Sequence, residues 1–157
     1  MHVSHWRSWD APPKRILKET TLENGFVQVV LNAPSLKGNL VSAPTEKTLF
    51  VYLPPSYLES KTAYPVVYYL HGFDTGSKEI LQFATPIKRA MEAMGTNQFI
   101  IVGVNGTTAL GGSFFVNSPV TGKREDFLIK DVVPAIDGRF RTLAAPSSRG
   151  IAGFSMG

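Results

Sequence analysis

Continuous apolar runs mark three stretches of the chain, residues 66–70, 99–104 and 150–154. Runs of this length, without the alternation of a half-exposed strand, are typical of strands in a parallel sheet that helices cover on both faces. Earlier in the chain, residues 26–31 and 48–53 are rich in β-branched and aromatic side chains, which predicts two more strands. A short, turn-rich connection joins this leading pair, so we expect its strands to be antiparallel.

Two helices are predicted between the three later strands. The first is capped by Thr85, has Pro86 at its first position and ends before Gly95. Its buried stripe consists of Ile87, Ala90, Met91 and Met94. The second spans residues 125–136, and we expect Pro134 to kink it or loosen its last turn. Its apolar side carries Leu128, Ile129, Val132, Val133 and Ile136.

This alternation of strands and helices predicts an α/β fold in three layers, with a mostly parallel sheet and an antiparallel leading strand pair. The 157 residues, 43% hydrophobic and 18% charged, suit one soluble domain. We assign residues 1–25 to an extended leader and residues 26–157 to the domain. No apolar run is long enough for a membrane span, and no signal peptide is visible at the start of the chain, which favours the cytoplasm.

Charge and cysteine content exclude several other classes of protein. The formal net charge is +4, but the basic pairs Lys14-Arg15, Lys88-Arg89 and Lys123-Arg124 are scattered and form no stripe for nucleic acid. The absence of cysteine rules out disulfides, thiolate metal sites and cysteine nucleophiles. His2 and His5 supply too few ligands for a metal ion, so we expect neither a metal nor a cofactor.

The chain ends in Gly153-Phe154-Ser155-Met156-Gly157, a G-x-S-x-G motif that directly follows the third apolar strand. A serine at a sharp turn out of a strand presents its hydroxyl above the sheet, and flanking glycines let the strained backbone pass without clashes. Ser155 is therefore the candidate nucleophile. The simpler alternative is a glycine-rich loop that only closes a buried strand.

A second motif, His71-Gly72-Phe73, follows the strand at residues 66–70. In α/β-hydrolases the loop at this place supplies one backbone amide of the oxyanion hole, and the residue after the nucleophile supplies the other. We therefore predict that the amides of Phe73 and Met156 are the two donors. Gly72 and His71 would support this loop, and we expect His71 to act there through hydrogen bonds rather than as a general base.

The order of residues along the chain restricts the rest of a catalytic triad. In this fold the serine comes first, then the acid, then the histidine. No histidine or carboxylate side chain follows Ser155, and the aspartates that precede it are Asp74, Asp126, Asp131 and Asp137. We therefore expect a fold truncated after the nucleophile strand, without its C-terminal half and without the triad acid and base. Such a chain is expected to be inactive and poorly stable on its own.

Three motifs, taken in order, resemble the esterase D and feruloyl-esterase-like family, which includes S-formylglutathione hydrolases and mycolyl transferases. They are residues 64–73, residues 112–119 and residues 149–157. The resemblance covers about residues 26–157. It implies the N-terminal part of an α/β-hydrolase fold and the attack of a serine on a carboxylic or thiol ester.

The same resemblance implies roles for individual residues. Ser155 would be the nucleophile, and the amides of Phe73 and Met156 would line the oxyanion hole. Phe114 and Phe115 would approach the acyl pocket, where they could pack an aromatic or alkyl acyl group. The chain departs from the family at Lys123-Arg124, where related sequences often carry an aromatic residue.

The sequence thus favours a serine carboxylic-ester hydrolase that forms an acyl-enzyme on feruloyl, acetyl or thiol esters, either small or linked to a polysaccharide. One alternative is an acyltransferase that passes the same acyl group to an alcohol instead of water. Another is a non-catalytic carbohydrate-interaction domain, for which Trp6 and Trp9 are the candidate contacts. The oligomeric state is left open.

Overall fold

The computed structural model of the chain describes residues 15–95 and 97–157. His2 and His5, which the sequence analysis rejected as a metal pair, and the candidate sugar contacts Trp6 and Trp9 therefore lie outside the described residues.

Of the eight strands in the described residues, six form a sheet at the centre of the fold. In chain order the strands are β1 (Ile16–Thr21), β2 (Phe26–Asn32), β3 (Glu46–Tyr52), β4 (Val66–Leu70), β5 (Ile100–Val104), β6 (Asn117–Ser118), β7 (Gly122–Lys123) and β8 (Arg149–Gly153). The large sheet has the order β1-β2-β3-β5-β4-β8, and β6 pairs only with β7. Strand β4 lies parallel to β5 and to β8, whereas each of the first three strands is antiparallel to its neighbours.

This topology confirms the predicted α/β fold and its antiparallel leading pair. Strand β2 pairs with β3 over its whole length, from Phe26 opposite Tyr52 to Asn32 opposite Glu46. The connections from β4 to β5 and from β5 to β8 carry the helices, and both β5 and β8 lie parallel beside β4, as expected for crossovers in such a sheet.

Strand β1 lies inside the segment that the sequence assigned to the leader. Its residues pair with β2 from Ile16 opposite Leu31 to Thr21 opposite Val27. The strand has no fully buried residue, and its sequence contains no apolar run that would have indicated a strand. The turn between the two strands contains Asn24 at φ 65° and Gly25 at φ 82°, the residue types that accept a positive φ most readily.

The helices are α1 (Ala84–Ala93), α2 (Arg124–Asp126) and α3 (Val133–Arg139), and a π-helical segment (Phe127–Val132) joins the last two. Pro134 does not end the second predicted helix, which continues to Arg139. Instead, the wide turn just before the proline carries a hydrogen bond from the Val133 amide to the Leu128 carbonyl, five residues back. A wide turn at this place accommodates a proline, which has no backbone N–H to donate.

The core-facing side of this helix is narrower than the predicted one. Leu128, Val132 and Ile136, which are spaced four residues apart, are all buried in the core. Ile129, which the sequence placed on the same side, is 54% exposed. In α1 the expected stripe is likewise narrower, because Met91 is buried while Met94 is 42% exposed.

The sheet separates two apolar clusters. Helix α3 and the π-helical segment pack on one face, and α1 packs on the other. Strand β5 is buried along its whole length, as its continuous apolar sequence predicts. Strand β8 is covered much less, with Ile151 66% and Phe154 62% exposed. Among the described residues no helix is long and apolar enough to cross a membrane.

The two isoleucines of the second helix provide a matched test of this packing. We expect Ile136→Ala to lower the free energy of unfolding by about 2–5 kcal/mol, because it leaves a cavity in the core. Ile129→Ala should change it by about 0.5 kcal/mol or less, because that side chain is exposed. Urea unfolding of the full-length protein measures both values. Equal losses in the two variants would contradict the helix register described here.

Candidate active site

Ser155 lies in a tight turn that directly follows β8. The Gly157 amide donates to the Phe154 carbonyl at 3.0 Å, which closes the turn around Ser155 and Met156. The Phe154 amide donates to the Leu70 carbonyl at 3.2 Å, so the turn starts at the carboxyl end of β4. Ser155 is exposed.

The backbone of Ser155 is in the left-handed region, at φ 53°. A residue with a Cβ pays a steric penalty there, so this conformation is uncommon outside glycine, asparagine and aspartate. Such strain persists only where the surrounding structure imposes it, and it is concentrated at functional sites. Here the constraint is the pairing of β8 with β4, which ends where the turn begins.

His71, the first residue after β4, is completely buried and joins two loops. Its Nε2 accepts a hydrogen bond from the Gly106 amide at 2.8 Å, and its Nδ1 lies 2.7 Å from the Gly72 carbonyl. The Gly106 contact needs a bare Nε2, so a neutral ring carries its proton on Nδ1. That nitrogen lies closer to the Gly72 carbonyl, to which it donates, than to the Gly76 amide, which is 3.2 Å away. Burial lowers the pKa of His71 from its usual 6.5, which favours this neutral ring.

The loop that carries Phe73 is held by a residue that the sequence analysis missed. Glu79 accepts hydrogen bonds from the Gly72 amide and from the Thr75 hydroxyl, each at 3.0 Å. A carboxylate that accepts a backbone amide seven positions earlier leaves no signal in a sequence. Farther along this loop, the Asp74 amide donates to the Gly111 carbonyl at 3.2 Å.

The side chains of Phe73 and Met156 meet over the backbone of Gly112. A Cβ placed on Gly112 would lie 2.9 Å from the Phe73 ring and would collide with the Met156 sulfur. Only glycine lets the chain pass this close, so Gly112 brings the loop after β4 and the turn after β8 together. Neither the Phe73 amide nor the Met156 amide donates a hydrogen bond within residues 15–95 and 97–157.

The two phenylalanines proposed for the acyl pocket lie in different environments. Phe114 is 63% exposed, and its ring centre is 6.4 Å from that of Phe73. Phe115 is buried and packs edge-on against His71, with ring centres 5.4 Å apart. Phe114 is thus accessible beside the loop, whereas Phe115 forms part of the core beneath it. Both have a positive φ, of 52° and 51°.

Most of the aspartates considered for the triad are engaged in ion pairs. These pairs are Asp126 with Lys130, Asp131 with Arg15 and Asp137 with Arg149. The last pair holds the first residue of β8 against α3, which gives it a structural role. Over the described residues, no cluster of His, Asp or Glu could hold a metal ion.

The family model described as "Putative esterase" matches residues 41–157. No curated protein matches the chain. Among solved structures, a ferulic acid esterase is similar with a TM-score of 0.66 and 24% identity over 84% of this chain and 49% of its own. An S-formylglutathione hydrolase from Agrobacterium tumefaciens is similar with a TM-score of 0.61 and 18% identity over 90% of this chain and 53% of its own.

A fluorophosphonate-binding serine hydrolase from Staphylococcus aureus is similar with a TM-score of 0.62 and 14% identity, covering 83% of this chain and 47% of its own. At these identities the likeness shows the fold. The chain spans about half the length of the solved structures that it matches. The family match confirms the resemblance that the sequence predicted.

The strain at Ser155 can be measured by comparing two substitutions. Glycine adopts a positive φ without penalty, whereas alanine keeps the steric cost of a Cβ. We therefore expect the Ser155→Gly variant to be more stable than Ser155→Ala by about 1 kcal/mol. Chemical denaturation of both full-length variants measures this difference. A Ser155→Ala variant as stable as Ser155→Gly would indicate that the turn is not strained.

The buried neutral His71 predicts a dependence of stability on pH. Its pKa is lowered on folding, so its contribution is complete above the usual value of 6.5 and is lost as the pH falls through the lowered pKa. We expect the free energy of unfolding to fall as the pH drops below 6.5, and His71→Gln to flatten part of that slope. Lys61→Gln, at an exposed position, is the control for a substitution by glutamine. An unchanged slope in His71→Gln would refute the assignment.

Proposed function

The chain belongs to the esterase family that matches residues 41–157, and from this premise we propose that the protein is a serine ester hydrolase that works through an acyl-enzyme. The nucleophile is the hydroxyl of Ser155. The observation that carries this proposal is the strained, exposed serine at the end of a parallel strand. The amides of Phe73 and Met156, two residues whose side chains meet at Gly112, have no hydrogen-bond partners among the described residues.

The chemistry requires that charge be stabilised where it develops. The Ser155 oxygen attacks the carbonyl carbon of the ester while its proton passes to a general base. The resulting oxyanion accepts hydrogen bonds from the amides of Phe73 and Met156, whose side chains pack on the same glycine, Gly112. When this tetrahedral intermediate collapses, the bond to the alcohol or thiol breaks, and the leaving group takes the proton from the general base. Water then repeats the sequence, releases the acid and restores the serine.

The general base is not among the described residues in this proposal. His71 is the histidine that the structure describes, but it is fully buried and both ring nitrogens have backbone partners. Using it as a base would break the contact with Gly106 that joins the two loops. Its role here is to position the loop that carries Phe73. The base and its acid would therefore come from protein outside the described residues.

Phe114 is the candidate contact for the acyl group. It is exposed beside Phe73, so an aromatic or alkyl acyl group could pack on both rings without rearrangement of the core. The proposed substrates are feruloyl, acetyl or thiol esters, small or linked to a polysaccharide. The names of the similar structures, a ferulic acid esterase and an S-formylglutathione hydrolase, support this range.

Replacing Ser155 tests the mechanism. We expect Ser155→Ala in the full-length protein to lower kcat/KM for chromogenic acetyl and feruloyl esters by about a thousandfold or more, because no other group can form the acyl-enzyme. Ser147→Ala, another exposed serine before β8, is the matched control and should leave activity unchanged. Full activity in Ser155→Ala would exclude the serine mechanism.

Covalent labelling gives an independent readout of the same proposal. A fluorophosphonate probe should add once to the wild-type protein, at Ser155, and should not label Ser155→Ala. Intact-mass and peptide analysis locate the adduct. If added alcohol yields more transfer product than acid, the acceptor is an alcohol and the enzyme is an acyltransferase. Labelling elsewhere, or equally in both proteins, would contradict the assignment of Ser155.

A further inference from the structure

Two buried cations lie on the α3 side of the sheet without a carboxylate partner among the described residues. Lys47, in β3, is 5% exposed, and its ammonium donates only to the Thr107 carbonyl at 3.3 Å. Arg124, the first residue of α2, is fully buried, and its Nε donates to the Thr121 carbonyl at 2.7 Å. Its Nη1 and Nη2 have no partner within the described ranges.

Burying two cations that repel each other is unfavourable. Burial and repulsion from Arg124 lower the pKa of Lys47 to about 8. Most charged side chains of this kind are exposed or paired, because an unpaired buried ion loses its hydration without compensation. The hydroxyl of Thr121, next to the carbonyl that Arg124 contacts, also has no partner in the described part of the chain. This arrangement lacks an acceptor with negative charge.

A cavity of about 230 Å³ provides the space for such an acceptor. Lys47 lies in its wall. The rest of the wall comes from the loop before β3 and the loop after β5, and its residues are Val41, Ser42, Ala43, Pro44, Thr107, Thr108 and Ala109. No aspartate or glutamate lines it, so the positive charge of Lys47 is not neutralised from within the cavity. The volume suits a carboxylate with a short carbon chain.

We infer that this cavity, with Lys47 in its wall and Arg124 nearby, is a subsite for a carboxylate group carried by the ester substrate. The inference rests on the proposed esterase function only for the identity of the ligand. The binding of a carboxylate at Lys47 can be measured without catalysis. A carboxylate there satisfies the ammonium and reduces the repulsion between the two cations.

The same loop connects the cavity to the turn at Ser155. Thr107 and Thr108 belong to the cavity wall, and the Thr108 hydroxyl donates to the Gly112 carbonyl at 2.9 Å. Gly112 in turn packs against the side chains of Met156 and Phe73. A substrate whose carboxylate binds at Lys47 therefore lies against the loop that supports the proposed oxyanion hole.

Direct binding is the first test. Sodium acetate, titrated against sodium chloride at constant ionic strength, should raise the Tm of the full-length wild-type protein saturably. The exposed-lysine control Lys61→Met should behave like the wild type, whereas Lys47→Met and Lys47→Gln should bind acetate about tenfold more weakly. Inorganic phosphate in place of acetate tests whether the site prefers a carboxylate. The absence of a saturable effect, or equal binding in the Lys47 variants, would overturn the inference.

Substrate selectivity is the second test. In a series of mono-4-nitrophenyl esters of dicarboxylic acids from glutarate to sebacate, at least one acidic ester should have a higher kcat/KM in the wild type than the neutral ester of equal chain length. Lys47→Met should lower this ratio of acidic to neutral ester about tenfold, while Lys61→Met should keep the ratio of the wild type. Equal preference in wild type and Lys47→Met would refute the subsite and leave the esterase proposal intact. If the wild type hydrolyses neither the acidic nor the neutral esters, the result counts against the esterase proposal. The acetate titration then tests the carboxylate site at Lys47 by itself.

Discussion

The parallel alignment of β4 with β5 and β8 is the constraint on which the candidate site depends. Carboxyl ends of parallel strands lie at one edge of a sheet, so the chain segments that follow these strands meet there although they are far apart in sequence. The loop after β4 carries Phe73, the loop after β5 leads to Gly112, and the turn after β8 carries Ser155. A register shift between β4 and β8 would move the Ser155 turn away from the loop that carries Phe73.

Buried polar groups then hold these segments in place, and they differ in how well they are satisfied. His71 has hydrogen-bond partners at both ring nitrogens, so this buried side chain holds the two loops rigidly together. Glu79 does the same for the Gly72 amide. Lys47 is 5% exposed and Arg124 is fully buried, but neither has a carboxylate partner among the described residues. In physical terms the first two are structural, whereas the cations need an anion to be equally stable.

The strained turn at Ser155 puts stability and function in opposition. Ser155 adopts a positive φ, so the turn that carries the candidate nucleophile lowers the stability of the fold. The parts that recover stability lie elsewhere, in the clusters around β5 and the helix faces. This division is typical of proteins in which a site is built on a rigid sheet but lies at its edge.

The sequence by itself determined the elements that depend on local patterns. Apolar runs located β4, β5 and β8, and the G-x-S-x-G motif located the turn at Ser155, because period and turn chemistry are properties of neighbouring residues. Only the tertiary structure decided what neighbours cannot encode. Strand β1 exists through pairing with β2, Glu79 meets Gly72 across a loop, and Phe115 is buried against His71 while Phe114 stays exposed. Each is settled by contacts between distant residues, whose free energy overrides local propensity.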